Sequence, residues 1–184
     1  MTVAEFLSKT IPYCQECELK HRGYALPRGE GKKYLILGEA PGEEEEKKKM
    51  VFIGRSGKML DEWLEYLNIR EYMIDNIVKH RPPDNATPTI DMVGKCKKYF
   101  EMELEMIKPQ FLILVGHTAT TILDEKGSMM QLIKLSLTTD LRYKDARVII
   151  FFHPSYFLHK GIGETHPQLD SYLDLYKDVV GLGD

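Results

Sequence analysis

The sequence predicts an α/β domain, a three-layer αβα sandwich around a four-stranded parallel sheet. Three observations predict it. Four short apolar runs, Tyr34–Leu37, Met73–Val78, Phe111–Val115 and Arg147–Phe152, are closed by glycine, proline or polar turns, as buried strands are. Between them, apolar residues recur at helical spacing. Strand–helix alternation gives a parallel sheet with helices on both faces.

Taken in order, residues 2–9 read as a short helix, with Thr2 as N-cap and Glu5 completing a capping box. Cys14-Gln15-Glu16-Cys17 follows, ahead of a loop rich in Gly, Pro and charge, His21–Lys32. The first strand stops at Gly38-Glu39-Ala40-Pro41-Gly42, and a charged loop, Glu43–Lys49, leads to Phe52-Ile53-Gly54-Arg55-Ser56-Gly57. A helix over Gly57–Asn68 repeats Leu60, Trp63, Leu64 and Leu67 on one face, which puts Trp63 in the core. The second strand delivers Asn76 and runs into Lys79-His80-Arg81-Pro82-Pro83, where the prolines impose a loop. Thr89 opens a long helix to about Lys108 that carries Cys96. Gly116–Leu123 reads as a helix, and Gly127–Thr139 is ambiguous. The fourth strand ends at His153-Pro154-Ser155; a Gly-rich insertion, His159–His166, precedes a terminal helix, Pro167–Val180.

With 184 residues, 43% of them apolar, the chain holds enough for one core. A single domain over 1–184 is expected, with an N-terminal loop at about 10–32 around the C-x-x-C. A net charge of −3 gives no sign of a bulk polyanion binder, so nucleic-acid contact needs local basic clusters. No apolar run reaches the ~18 residues of a membrane span. The N-terminus lacks a signal-peptide core. An intracellular, cytoplasmic setting is expected, where three cysteines argue against a disulfide framework.

Two constellations carry chemistry. Glu39 follows the first strand, Asn76 ends the second and His153 follows the fourth. In a parallel sheet all three lie at one edge, where ligands bind in open α/β folds. Each alone has an ordinary explanation, as a solvated acid, a turn cap or a structural histidine; their convergence is harder to explain as packing. The second set is Cys14, Cys17 and Cys96, with His80 as the best fourth ligand. Such a set suits tetrahedral zinc or an iron–sulfur cluster with one imidazole. A redox dithiol is the rival, but it wants the cysteines between a strand and a helix. Arg55-Ser56-Gly57, at a helix start, offers backbone N–H groups to a phosphate.

In order, GEAPG, FIGRSG, NIVKHRPPDNATPT, Cys96, FLILVGHTA and HPSYFL resemble the family 4 uracil-DNA glycosylases, the iron–sulfur members of their superfamily. The resemblance covers nearly the whole chain. It implies a uracil-DNA glycosylase-like fold, a uracil flipped out of uracil-containing DNA, single- or double-stranded, and excision of that base to leave an abasic site. The cofactor implied is a [4Fe–4S] cluster on Cys14, Cys17 and Cys96, with zinc as the alternative. His80 stands where the family usually has cysteine, and Lys49-Met50-Val51 precedes Phe52 where a Gly and a Pro are usual. A uracil-binding relative with histidine at the first of these positions carries a basic insertion that this chain lacks after Arg81.

The resemblance also implies roles. Phe52 stacks on the uracil and Asn76 reads its Watson–Crick edge. His153, with the Ala40 N–H, stabilises charge on uracil O2. Glu39 handles the attacking water, and Glu45 matches a second acid. Arg55, Ser56, Lys79, Arg81 and Ser155 hold phosphates, and one of Tyr156, Phe157 and Leu158 fills the gap in the stack. The chain is read as a monomer. The rivals are a non-catalytic or covalent damage-binding module of the same fold and a nucleotide-binding enzyme. The latter ranks low because GEAPG fits neither common phosphate-loop pattern.

Overall fold

The computed structural model describes residues 1–162 and 167–180. Its sheet holds β1 (Tyr34–Gly38), β2 (Tyr72–Asn76), β3 (Phe111–Val115), β4 (Arg142–Tyr143) and β5 (Ala146–Phe151), in the order β2-β1-β3-β5-β4. The four expected strands pair in parallel. The fifth, β4, is a two-residue antiparallel edge strand against Ala146 and Arg147, too short to leave a period in the sequence. Register places Gly38 opposite Asn76 and Val115 opposite Phe151. The carboxyl ends of the parallel strands therefore finish level, at one edge.

β1 and β3 are buried along their whole length, which fits central strands covered on both faces. The outer edges are satisfied locally. Arg28 exchanges backbone hydrogen bonds of 2.8 and 3.0 Å with Ile74 of β2. On β5, the Ile150 N–H donates to the Ser136 hydroxyl at 3.2 Å and its carbonyl accepts from the Tyr176 hydroxyl at 2.9 Å. No backbone ladder is left open at these points.

The helices are α1 (Val3–Thr10), α2 (Glu43–Lys48), α3 (Arg55–Tyr66), α4 (Ile90–Ile107), α5 (His117–Thr120), α6 (Met129–Thr138), α7 (Pro154–His159), α8 (Pro167–Asp174) and α9 (Lys177–Val180). The Thr2–Glu5 capping box forms as expected. Trp63 of α3 is fully buried and meets Phe151, Phe157 and Tyr172 edge-on, at ring-centroid distances of 5.5 to 6.0 Å. One aromatic knot thus ties α3, α7 and α8 to the sheet. Glu103 of α4 meets Asp75 of β2 through Lys79. Side chains alternate faces along a strand, so Asp75 points toward α4 and Asn76 away from it.

Three readings change. Glu43–Lys49, expected as a loop, begins with the helix α2. Glutamates fill its first turn and lysines its last, complementing the helix dipole, and Lys47 bridges Glu43 one turn away at 2.6 Å. A charge run without apolar periodicity hides such a helix. Gly127–Thr139 resolves into α6, started by a Ser128–Gln131 capping box. The terminal helix is broken between α8 and α9. Of the Gly-rich insertion, residues 163–166, including His166, lie outside the described residues.

Candidate active site

One cavity, about 370 Å³, opens at the carboxyl edge of the sheet. Its lining includes Glu39, Ala40, Glu45, Phe52, Ser56, Asn76, His153 and Ser155. Acid, amide and imidazole, far apart in sequence, are brought together here.

Each is held by its neighbours. Glu39 follows β1; its carbonyl accepts the Val78 N–H at 3.0 Å, and its carboxylate accepts a hydrogen bond from the Thr118 hydroxyl. Asn76 is buried, with its backbone N–H donating to Asp75 Oδ1 at 2.8 Å. Its side-chain Oδ1 is buried and has no hydrogen-bond partner. An unpaired buried acceptor costs about 1–3 kcal/mol, and this one lines the cavity, where a donor from a ligand can reach it.

His153 caps α7: Nδ1 accepts the Ser155 N–H at 3.2 Å and lies 2.8 Å from the Ser155 hydroxyl. Accepting at Nδ1 leaves the proton of the neutral ring on Nε2. Burial pushes the imidazole down to about 4, against a smaller upward pull from Glu45. It is therefore a neutral donor at physiological pH.

Phe52 forms the apolar wall, 6.0 Å from the His153 ring centroid and tilted by 35°. Its φ is +50°, a left-handed conformation that is strained for a bulky residue. Glu45 holds it there. One Glu45 oxygen accepts the N–H groups of Ile53 and Gly54, at 3.2 and 3.0 Å. Two glycines make room for it. A β-carbon on Gly57 would lie 1.8 Å from the Phe52 carbonyl oxygen. One on Gly38 would lie 2.4 Å from the Phe52 ring and 2.6 Å from Asn76 Oδ1. The GEAPG and FIGRSG glycines thus serve the wall of the cavity.

The model of the uracil DNA glycosylase superfamily matches residues 28–175. The chain belongs to this superfamily. A type-4 uracil-DNA glycosylase of Thermotoga maritima is 33% identical, with 87% of this chain and 85% of that protein covered. One of Sulfurisphaera tokodaii is 31% identical, covering 86% and 77%. One of Archaeoglobus fulgidus is 30% identical, covering 83% and 81%.

Against the superfamily expectation for phosphate contacts, Lys79 is a correction. Its side chain is fully buried and cannot reach a phosphate. Nζ donates to Asp75 Oδ2 at 2.7 Å, to the Asn76 carbonyl at 2.8 Å and to Glu103. Although burial opposes the ammonium, the two carboxylates raise its pKa and keep it charged. Burial pushes the Glu103 carboxyl well above its usual range. Strand alternation carries this signal, since Asn76 faces the cavity and Asp75 the opposite layer.

Arg81 is half-buried and engaged, donating to Glu46 at 2.9 Å and to Asn85 at 2.7 Å. Arg55 is exposed at the start of α3. Of the wedge candidates, Phe157 is corrected to a core residue, packed edge-on against Trp63 and tilted against Tyr172. Tyr156 is exposed and lies flat on Phe152 at 4.6 Å, and Leu158 is half-buried. Thr118, His159 and Asn85 reach the site without having been anticipated. Thr118 had a sequence signal: it sits just past the third strand, at the same edge.

The cysteines are free and buried, in the segment after α1 and in α4. Cys14 interacts with the Tyr99 hydroxyl, and Cys96 accepts the Lys79 backbone N–H. Burial pushes the Cys96 thiol up to about 11. His80 is buried beside Tyr24, with ring centroids 6.2 Å apart, and hydrogen-bonds the Ile11 backbone. Burial, then the Lys49 charge, lowers its pKa, so the ring is neutral. Among the described residues no three His, Cys, Asp or Glu side chains stand close enough to share one metal ion. A cluster separates its thiolates onto different irons, and this donor set, soft thiols with an imidazole oriented by a backbone partner, is compatible with that.

Proposed function

We propose that this chain is a uracil-DNA glycosylase that hydrolyses the bond between uracil and deoxyribose, leaving an abasic site for base excision repair. The unpaired Asn76 Oδ1 carries the reading. In a cavity with one aromatic wall, an amide is complementary to uracil: Oδ1 accepts from N3–H and Nδ2 donates to O4. Cytosine has no N3 proton and presents a donor in place of O4. It would leave the buried amide unpaired, a mismatch that can discriminate by orders of magnitude.

A base inside the duplex cannot present its glycosidic bond, so the nucleotide flips out at a cost of a few kcal/mol. Stacking on Phe52 returns about 1–3 kcal/mol. As the C1′–N1 bond breaks, electrons move to the base and positive charge develops on the sugar. The neutral His153 donates from Nε2 to uracil O2, a contribution of about 2.7–4 kcal/mol for a donor of this kind. The Ala40 N–H assists. Glu39 orients and deprotonates the water that attacks C1′, and its charge favours the cationic sugar. Glu45 acts through Phe52, since one of its oxygens accepts both the Ile53 and Gly54 N–H groups beside that residue. Arg55, Ser56 and Ser155 contact phosphates, with Arg81 joining them by exchanging its acidic partners; these contacts position without reading sequence. Tyr156 or Leu158 fills the space left in the stack.

Cys14, Cys17, His80 and Cys96 would hold a [4Fe–4S] cluster. Its chemistry here is cross-linking, tying the N-terminal segment to the His80 loop and to α4; the hydrolysis needs no electron transfer. The partner is uracil-containing DNA, bound by a monomer. Purified protein incubated with a uracil-containing oligonucleotide should release free uracil, and Glu39→Ala and His153→Ala should each slow release severely, to a residual measurable rate, while retaining DNA binding. Binding without release by the unaltered protein would favour the non-catalytic reading. Iron and sulfide analysis tests the cluster; stoichiometric zinc without sulfide would overturn it.

A further inference from the structure

The geometry points to Thr118 as the positioning residue for Glu39, an inference that rests on the glycosylase reading. Three of the four parallel strands deliver a cavity residue near their carboxyl ends: Glu39 after β1, Asn76 in β2 and His153 after β5. The third, β3, ends at Val115, and three residues later Thr118 donates its hydroxyl proton to Glu39 Oε2. Thr118 is buried, within α5. It is not simply a satisfied helix residue: the neighbouring Thr120 and Thr121 bond back to the carbonyls of His117 and Thr118. The Thr118 hydroxyl alone of these three reaches across to the turn that follows another strand.

The consequence is directional. A carboxylate on an acidic turn can rotate about its last torsion, and either oxygen can face the sugar. One hydroxyl donor on Oε2 fixes the plane and leaves Oε1 to take the proton of the water. A charge-assisted hydrogen bond of this type is stronger than a neutral one. It touches neither base nor sugar, so it acts on the chemical step and not on DNA affinity. A misplaced reacting group can cost as much as ~10²-fold in rate.

Single-turnover excision and DNA affinity are compared in Thr118→Val, which keeps the shape, and Thr118→Ser, which keeps the hydroxyl. Thr118→Val should lower the rate about 10- to 100-fold at unchanged DNA affinity, and Thr118→Ser should restore most of it. In a Glu39→Ala background, Thr118→Val should cost nothing more. A Thr118→Val enzyme at full rate, failure of Ser to rescue, or an equal further loss in the Glu39→Ala background would overturn the assignment. The same cycle is read in denaturant unfolding, where Thr118→Val and Glu39→Ala should be non-additive if the contact exists. That readout needs no activity. Absence of uracil release by the unaltered protein defeats the glycosylase reading alone, whereas additive stabilities defeat the contact.

Discussion

Asp75 and Asn76 are consecutive on one strand, yet they serve opposite kinds of site. Asp75 faces a closed cluster: both its oxygens are engaged, and Lys79 spends its donors on Asp75, Asn76 and Glu103. Asn76 faces a cavity, with its Oδ1 buried and unpaired. Both are buried and polar, so burial alone does not separate them. What separates them is access to the cavity. The Lys79 cluster carries its own counter-charges and serves the fold. Glu103 Oε2 and Asn76 Oδ1 both lack a partner, but only the Asn76 oxygen lies at the cavity, where a ligand can supply one.

Five substitutions and one titration test that contrast. The largest effect is expected on the closed side. Lys79→Met leaves two carboxyl groups facing each other in the interior, and breaking such a pairing costs about 3–5 kcal/mol. Urea unfolding should show it, and an unchanged midpoint would mean that water already shares the cluster. On the open side, His153→Ala should slow single-turnover excision by roughly 10²–10³-fold while costing little stability.

The third effect is a pH dependence. The folded imidazole titrates at about 4 instead of the ordinary 6.5, so below 6.5 the unfolded chain binds a proton that the folded chain refuses. Stability should therefore fall between pH 6.5 and 4, by about 3 kcal/mol in all. His153→Gln should flatten that part of the curve of unfolding free energy against pH. Asn76→Ala comes next: selectivity for uracil over cytosine should drop at least tenfold, with a stability change within about 1 kcal/mol. The smallest effect serves as a control. Thr2→Ala removes the α1 cap, costing about 1 kcal/mol, and should leave excision untouched.

Much of the fold was legible because it is written in periodicity. The four parallel strands, α3 with Trp63 inward, and α4 with Thr89 at its cap all follow from spacing and capping residues. The strand ends also announced Glu39, Asn76 and His153, since polar residues directly after apolar runs fall at one edge. What escaped depends on where a side chain turns once the chain is folded. Lys79 and Arg81 look alike in a basic loop, but one is sealed beneath β2 and the other bridges to α2. Glu45 resembles its acidic neighbours, yet only its carboxylate closes on the Ile53 and Gly54 N–H groups. Neither α2 nor β4 left a period to read.

The segment between Gly23 and Ala25 is stitched onto the chain that follows β2. Ala25 donates to the Lys79 carbonyl at 3.3 Å, Gly23 accepts from Arg81 at 2.8 Å, and Tyr24 bridges to His80 between them. The opening portion of the polypeptide therefore works as a splint. Cutting the chain just ahead of β1 would delete no wall of the cavity, but it would unfasten the strip that begins at Asn76. Shortened versions of this protein should lose base discrimination before they lose the sheet.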